Sequence, residues 1–129
     1  MNNVKVLIFV ESRYQVNRKL IKAAVSAVLE EHNVKSALEV SIAIVGDRKM
    51  TKLNKEYRNK EGTANILSFP LSEGEQSALP PSDMVRLGDI VISYPQVIKE
   101  AAEQELLVDE RVDELVQHGM LHLLGLHHE

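Results

Sequence analysis

Apolar residues in the first third of the chain recur with two different periods. Residues 4–10 are mostly branched and apolar, which is typical of a strand. Between residues 15 and 32 the apolar positions are spaced by three and four, and this period predicts an amphipathic helix. In residues 38–45 every second position is a large aliphatic side chain, and this alternation predicts a second strand.

The middle of the chain predicts a short helix, a short strand and a long loop. Asp47 follows the second strand and is expected to cap a basic helix that runs to about Tyr57. Residues 65–69 form an apolar run that Pro70 closes, as expected of a strand that ends at a sheet edge. Residues 71–86 are rich in serine, proline and glycine and predict a loop long enough to be mobile or functional.

The last third of the chain predicts one strand followed by two helices. Residues 88–94 form the strand, and Pro95 suits the first turn of a helix that ends near Leu107. Asp109 is expected to cap a final helix that stops at Gly125. The order β-α-β-α-β-β-α-α predicts one domain, residues 1–129, with a mixed sheet covered by helices, either α/β or α+β. This pattern does not determine the strand order.

Composition limits the chemistry that the chain can support. Aromatic residues make up 4% of the 129 residues, so the core must be aliphatic. There is no cysteine, which excludes disulfides, thiolate metal sites and cysteine nucleophiles. No apolar run approaches the roughly 20 residues that span a membrane, and the N-terminus does not have the pattern of a signal peptide. We therefore expect a soluble cytoplasmic protein with no membrane partner.

Charge is distributed unevenly along the chain. The formal net charge of -4 argues weakly against general binding of nucleic acids. Residues 48–60, however, contain six basic side chains and one acidic one, whereas residues 99–114 contain seven acidic and two basic ones. The protein could thus carry one positive face, although two solvated helix surfaces would give the same pattern.

Four of the five histidines lie in the last twelve residues. His118 and His122 are four residues apart, so a helix would place both imidazoles on one face within reach of one ion. Gly125 permits a turn, and His128 follows three residues later as a third ligand. An isolated histidine pair of this spacing more often lies on the surface or in the core without binding a metal. The glycine and the third histidine, at the spacing that a metal site needs, favour a metal site.

The ligand types indicate which metal the site would hold. Imidazoles favour zinc over magnesium or manganese, while iron, nickel and copper remain alternatives. Three nitrogen ligands leave the fourth tetrahedral position for water, which is the arrangement of a catalytic zinc. We therefore expect one Zn²⁺ per chain. Glu114, one turn before His118, is placed to support that imidazole, although an exposed helix residue fits its position better.

The spacing H-x-x-x-H-x-x-G-x-x-H is also that of the metzincin proteases. Those enzymes carry a glutamate directly after the first histidine, and it serves as the general base. In this chain the position is Gly119. A peptidase built in this way would have no proton acceptor at that position.

Three segments resemble the YbeY family of bacterial endoribonucleases, in the family's order. HGMLHLLGLHH at the C-terminus is similar to the family signature H-G-x-L-H-L-x-G-[Y/F]-D-H. LNKEYRNKEGTANILSFP, residues 53–70, is similar to L-N-x-x-Y-R-x-K-(3)-T-[D/N]-V-L-S-F-P, and LGDIVIS, residues 87–93, to L-G-D-I-x-I. The resemblance extends from about Glu39 to the end of the chain.

The resemblance implies a fold, an activity and a set of site residues. It implies an α+β fold with a small mixed sheet of about four strands and zinc on His118, His122 and His128, at the C-terminal helix and the turn after it. It implies a single-strand-specific, metal-dependent endoribonuclease that acts in maturation of the 16S rRNA 3′ end and in ribosome quality control. Its partners would be single-stranded RNA and the small ribosomal subunit, with no DNA. Arg58 matches the arginine of the Y-R pair and would bind the phosphate as the catalytic residue.

The chain departs from the family pattern at several positions. His127 replaces the aspartate of the signature, and it would compete for the metal or provide a proton acceptor. Leu126 replaces its aromatic residue, and Ala64 replaces a threonine before Asn65. Family members usually continue with another helix, so we expect a truncated or minimal member.

Phosphodiester hydrolysis is the leading hypothesis, and two alternatives stay open. A zinc hydrolase of peptides or other small substrates would use the same ligands but is weakened by Gly119. A non-catalytic ribosome-binding module would use zinc only to hold the C-terminus in place. With few aromatic residues for base stacking, RNA recognition is expected to depend on shape and charge.

Overall fold

In the part of the chain that the structure describes, eight helices and strands follow one another in the predicted order. The computed structural model describes residues 3–11, 13–71 and 84–126. Within these ranges the elements are β1 (Val4–Val10), α1 (Arg18–Glu31), β2 (Leu38–Val45), α2 (Asp47–Arg58), β3 (Ile66–Pro70), β4 (Val85–Ser93), α3 (Tyr94–Gln104) and α4 (Val108–Leu123). Most of the predicted loop, residues 72–83, lies outside the described ranges. None of the described helices is long and apolar enough to cross a membrane.

The four strands form one mixed sheet in the order β1-β2-β4-β3. β1 and β4 both run parallel to β2, and β3 pairs antiparallel with β4. The predicted α+β fold with a small mixed sheet is confirmed. Pro70 closes β3 at the sheet edge, as its missing N–H group requires.

Helices cover the two faces of the sheet unequally. The side chains of Ile42, Ile44, Ile90 and Ile92 are completely buried against α1 and α4, and this contact forms the main core. On the opposite face a smaller cluster joins α2 to the sheet, built from Val45, Met50, Leu67 and Val91. Since α2 is a single short helix, the described residues leave part of this second face uncovered.

Two helix caps differ from the predicted ones. Asp47 is the first residue of α2, and the N-cap position belongs to Gly46, which offers no side chain. In α4 the N-cap is Leu107 rather than Asp109, and the side chain of Glu110 accepts a hydrogen bond from the Leu107 N–H group at 2.8 Å. Both predicted aspartates therefore lie within the first helical turn, where a carboxylate still stabilises the helix dipole.

The Asp47 carboxylate instead joins three elements. One oxygen accepts hydrogen bonds from the hydroxyls of Thr63 at 2.9 Å and Ser93 at 2.8 Å, and both oxygens accept from Gln96 Nε2 at 3.2 Å. Burial raises the pKa of Asp47, but these hydrogen bonds and the charge of Lys99 outweigh it and hold the pKa below its ordinary value. This network fixes the start of α2 against the end of β4.

β4 begins earlier than predicted, at Val85 rather than at Gly88. The register with β2 shifts at this point, because Glu39 faces Arg86 while Val40 faces Gly88. Gly88 has φ +147°, and a Cβ there would lie 2.4 Å from the Phe69 carbonyl oxygen. The glycine thus lies at a β-bulge inside the strand and does not start it.

Gly125 ends α4 as predicted. It has φ +76° and donates its N–H to the His122 carbonyl at 3.0 Å, while Leu126 N–H donates to the Leu121 carbonyl at 2.7 Å. These two bonds are those of a Schellman motif, in which a glycine at positive φ reverses the chain. The residues after this reversal, His127 and His128 among them, lie outside the described ranges.

Candidate metal centre and cleft

His118 and His122 present their imidazoles to each other near the end of α4. The two Nε2 atoms are 3.0 Å apart, and the ring centroids are 4.5 Å apart. His118 is exposed and His122 is half-buried, so the pair faces solvent from the surface of the core helix. The spacing of four residues on one helix face produces this arrangement, as the sequence predicted.

The geometry of this pair fits a shared metal ion. Two imidazole nitrogens on one tetrahedral zinc, each about 2.0–2.1 Å from the ion, lie about 3.3 Å apart. The 3.0 Å between the two Nε2 atoms is close to that separation. No third metal-binding side chain joins the pair within the described ranges. His128, the predicted third ligand, lies outside them, and so does its competitor His127.

Arg58 lines the same cleft as the two histidines. The cleft has a volume of about 530 Å³ and is bounded by the end of α2, by β3 and by α4. Arg58 is the last residue of α2 and is exposed. No carboxylate of residues 3–11, 13–71 and 84–126 forms an ion pair with it. The guanidinium is therefore available to an anion in this histidine cleft.

The floor of the histidine cleft is the backbone of the edge strand β3. Asn65 accepts a hydrogen bond from Ser93 N–H, and Leu71 N–H donates to Leu87, so these odd-numbered positions point toward β4. Antiparallel pairing alternates, so the N–H and C=O groups of Ile66 and Ser68 point toward the open edge. The sequence motifs predict side-chain chemistry alone, so they do not reveal this floor.

Gly119 packs against the sheet from the face of α4 that adjoins the face of the two histidines. It is buried, and a Cβ at this position would lie 2.9 Å from Cδ1 of Ile90 and 3.2 Å from Cδ1 of Ile66. The helix therefore approaches the sheet through this glycine. A glutamate side chain at this position would have to enter the packed contact between α4 and the sheet.

Glu114 is paired with another residue and does not support His118. Its carboxylate accepts from Arg111 at 2.8 Å, and Arg111 also binds Glu100 on α3 at 2.9 Å. Glu100 in turn accepts from Asn65 just before β3. This network joins α3, α4 and the start of the strand that forms the floor of the histidine cleft.

The comparisons with known proteins agree in family. The sequence profile described as Endoribonuclease YbeY matches residues 8–129. A protein of Acinetobacter baylyi named Endoribonuclease YbeY is 40% identical over 114 residues, which are 88% of this chain and 71% of that protein. The Endoribonuclease YbeY of Persephonella marina is 38% identical over 115 residues, 88% of this chain and 71% of that protein.

The fold is also similar to that of a solved structure. The solution structure of TM1509 from Thermotoga maritima superposes with a TM-score of 0.61 at 24% identity, and the match covers 96% of this chain and 75% of that one. That likeness supports the fold, while the sequence comparisons carry the family. The chain belongs to the YbeY family of endoribonucleases.

Proposed function

We propose that this chain is a metal-dependent endoribonuclease that cleaves single-stranded RNA. The observation that carries the proposal is that one cleft brings Arg58 of α2 together with His118 and His122 of α4. A guanidinium beside two imidazoles that can bind a metal ion supports metal-dependent hydrolysis of a phosphodiester. The family membership supplies RNA as the substrate class.

The metal would be one Zn²⁺ held by His118, His122 and His128. The described pair fits a zinc site in both ligand type and Nε2 separation. Bound zinc supplies a Lewis acid and lowers the pKa of a water ligand to about 7.

The remaining chemistry belongs to the chain's own groups. Arg58 binds the scissile phosphate, since its planar guanidinium matches two phosphate oxygens and keeps its charge at every relevant pH. The outward N–H groups of Ile66 and Ser68 are further donors along the floor of the histidine cleft. Together they hold the phosphate against the imidazoles and stabilise the charge that develops on it.

The proposed role is maturation of the 16S rRNA 3′ end and ribosome quality control in the cytoplasm. The small ribosomal subunit would be the partner that presents the RNA, and DNA is not a substrate. Six exposed basic residues at positions 48–60 form the positive surface for the RNA backbone. One of them, Lys55, pairs with Glu61 at 2.8 Å, which leaves the others for phosphates.

A cleavage assay with matched RNAs tests the proposal. Purified protein is incubated with a single-stranded RNA that carries the 16S 3′ end and with the same RNA annealed to its complement. We expect cleavage of the single strand alone, its loss in chelator and its return with added Zn²⁺. Equal cleavage of both RNAs, or cleavage that persists in chelator, would overturn the proposal.

The peptidase alternative gains no support from the cleft. Its missing general base would have to occupy Gly119, which is buried between α4 and the sheet. The non-catalytic alternative is decided by the same assay, because a module that only binds ribosomes would leave the single-stranded RNA intact.

A further inference from the structure

The histidine cleft continues onto the second face of the sheet, the part beside α2 that the described residues leave uncovered. A second cleft of about 680 Å³ shares the walls Tyr57, Ser68 and Phe69 with it. A third cleft of about 590 Å³ shares Ala43, Leu53 and Val91 with the second. The second and third clefts, named here the sheet trough, thus lead from the metal-ligand pair across β4 and β2 toward β1.

One face of α2 forms a wall of this sheet trough. Lys49, Leu53 and Tyr57 are spaced by four residues, so they are aligned along the helix. Tyr57 lines the histidine cleft and the second cleft, Leu53 the second and third, and Lys49 the third. The wall therefore begins with an aromatic ring beside Arg58, passes an apolar side chain and ends with a positive charge.

The aromatic end of the wall is accessible. The Tyr57 and Phe69 rings meet edge to face, with centroids 5.3 Å apart. Tyr57 is 64% exposed, and at the far end of the trough Phe9 is 61% exposed. Exposed aromatic rings beside basic residues provide stacking surfaces for unpaired bases.

The charges determine which part of a nucleotide faces the sheet. Asp89 lies on the floor of the second cleft and accepts a hydrogen bond from the Ser41 hydroxyl through one carboxylate oxygen. A carboxylate repels phosphate but accepts from an exocyclic amino group, such as N4 of cytosine. The basic residues lie on α2 instead. Bases would therefore face the sheet, and the RNA backbone would follow α2.

We propose that the sheet trough binds the nucleotides that adjoin the scissile phosphate, with a base stacked on Tyr57 and an amino-bearing base over Asp89. This inference rests on the proposed function, because it takes single-stranded RNA as the occupant. Continuity and charge select that occupant, since the trough leads on from the cleft that Arg58 lines, and Lys49, beside Glu11, lines its far end. Asp89 is then a specificity-determining residue.

Binding of nuclease-resistant oligonucleotides separates this proposal from cleavage. The affinities of the full-length chain for fluorescein-labelled 2′-O-methyl hexacytidylate and hexauridylate are measured by anisotropy. We expect Tyr57→Ala to weaken both affinities roughly 5- to 100-fold, and Tyr57→Phe to keep them near wild type. Leu107→Ala is the matched control, because Leu107 is 71% exposed and lines none of these clefts.

Base preference tests the orientation of the strand. Wild type should bind hexacytidylate more tightly than hexauridylate, because the Asp89 carboxylate can accept from the cytosine amino group but not from the carbonyl that uracil has in its place. Asp89→Asn should reduce the ratio of the two affinities. Wild-type affinity in Tyr57→Ala, or no cytosine preference in wild type, would overturn the proposal that the sheet trough binds these nucleotides. The proposed function would still stand. A wild-type protein that neither binds the hexamers nor cleaves single-stranded RNA would instead overturn the proposed function.

Discussion

Gly119 of α4 lies against the Ile90 side chain of β4, so closely that a Cβ on the glycine would be 2.9 Å from Cδ1 of Ile90. This contact brings α4 down onto the sheet. The histidines at positions 118 and 122 face the histidine cleft from the adjoining face of the same helix. The glycine thus has a packing role. In the metzincins the same position holds the glutamate that acts as the general base, so the chain differs from those enzymes here.

Substitutions at Gly119 should distinguish packing from catalysis. Gly119→Ala should change the free energy of unfolding by no more than about 1 kcal/mol, because the helix propensity of alanine offsets the contact with two flexible isoleucine side chains. Gly119→Glu should lower it by at least about 3 kcal/mol, since it buries an unpaired charge. Urea unfolding followed by circular dichroism measures both. Ala27→Glu, at an exposed position of α1, is the control, and a Gly119→Glu protein as stable as this control would contradict the packing role.

The Asp47 network should make stability depend on pH in the acid range. The pKa of Asp47 in the folded chain is below its ordinary value of 3.8, so the unfolded chain binds more protons and stability rises with pH in this range. Asp47→Ala should lower the free energy of unfolding by about 2 kcal/mol at pH 7, because Ser93 and Thr63 lose a charged acceptor. This deficit should be complete above pH 3.8 and shrink as the pH falls through the folded pKa. Urea unfolding at several pH values tests this, and a deficit that does not change with pH would contradict it.

The sequence predicted the elements well because hydrophobic periodicity is a local signal. The errors lie where tertiary contacts decide the outcome. Asp47 is bound by Thr63, Ser93 and Gln96, which are remote in the chain, so its role as a cap could not be separated from its role in a network. The sequence predicts a strand that starts at Gly88, because a bulge opposite β2 leaves no local pattern.

The site was predictable only in part, and for a similar reason. The helical spacing of four residues was enough to pair His118 with His122. That Arg58 lies in the same cleft depends on the fold, since α2 and α4 meet around the edge strand β3. The small number of aromatic residues predicts little base stacking, and this stays a prediction; where Tyr57 and Phe69 lie, at the border of both the histidine cleft and the sheet trough, depends on the fold. The zinc and its third ligand stay predictions.

Metal content should identify the ligands. Elemental mass spectrometry of purified protein should find about one zinc per chain. His118→Ala and His122→Ala should both lose the zinc, because each variant keeps only two of the three expected ligands, fewer than zinc sites in proteins use. His32→Ala is the control, because His32 caps α1 and lies 3.6 Å from Glu31. His128→Ala and His127→Ala compare the two candidates for the third ligand. Full zinc content in His128→Ala would assign the third position to another residue.

Cleavage should weaken steeply with added salt. Binding through phosphate contacts releases counterions, and the logarithm of the association constant falls by about 0.7 per contact and per tenfold rise in salt for single strands. Lys49→Ala should reduce that slope, because Lys49 lies at the far end of the sheet trough. Lys22→Ala, an exposed lysine on α1, should leave the slope unchanged. A flat salt profile of kcat/KM in wild type would contradict binding through the RNA backbone.

The central claim is that Arg58 and the paired histidines act on one phosphate. The most direct measurement is the rate of single-stranded RNA cleavage by Arg58→Ala, with zinc content measured on the same sample and Arg13→Ala, an exposed arginine elsewhere, as the control. Loss of a charge-stabilising donor typically lowers kcat by roughly 100- to 1,000-fold. We predict a loss of this size with unchanged zinc content in Arg58→Ala. A wild-type rate in that variant would contradict the account.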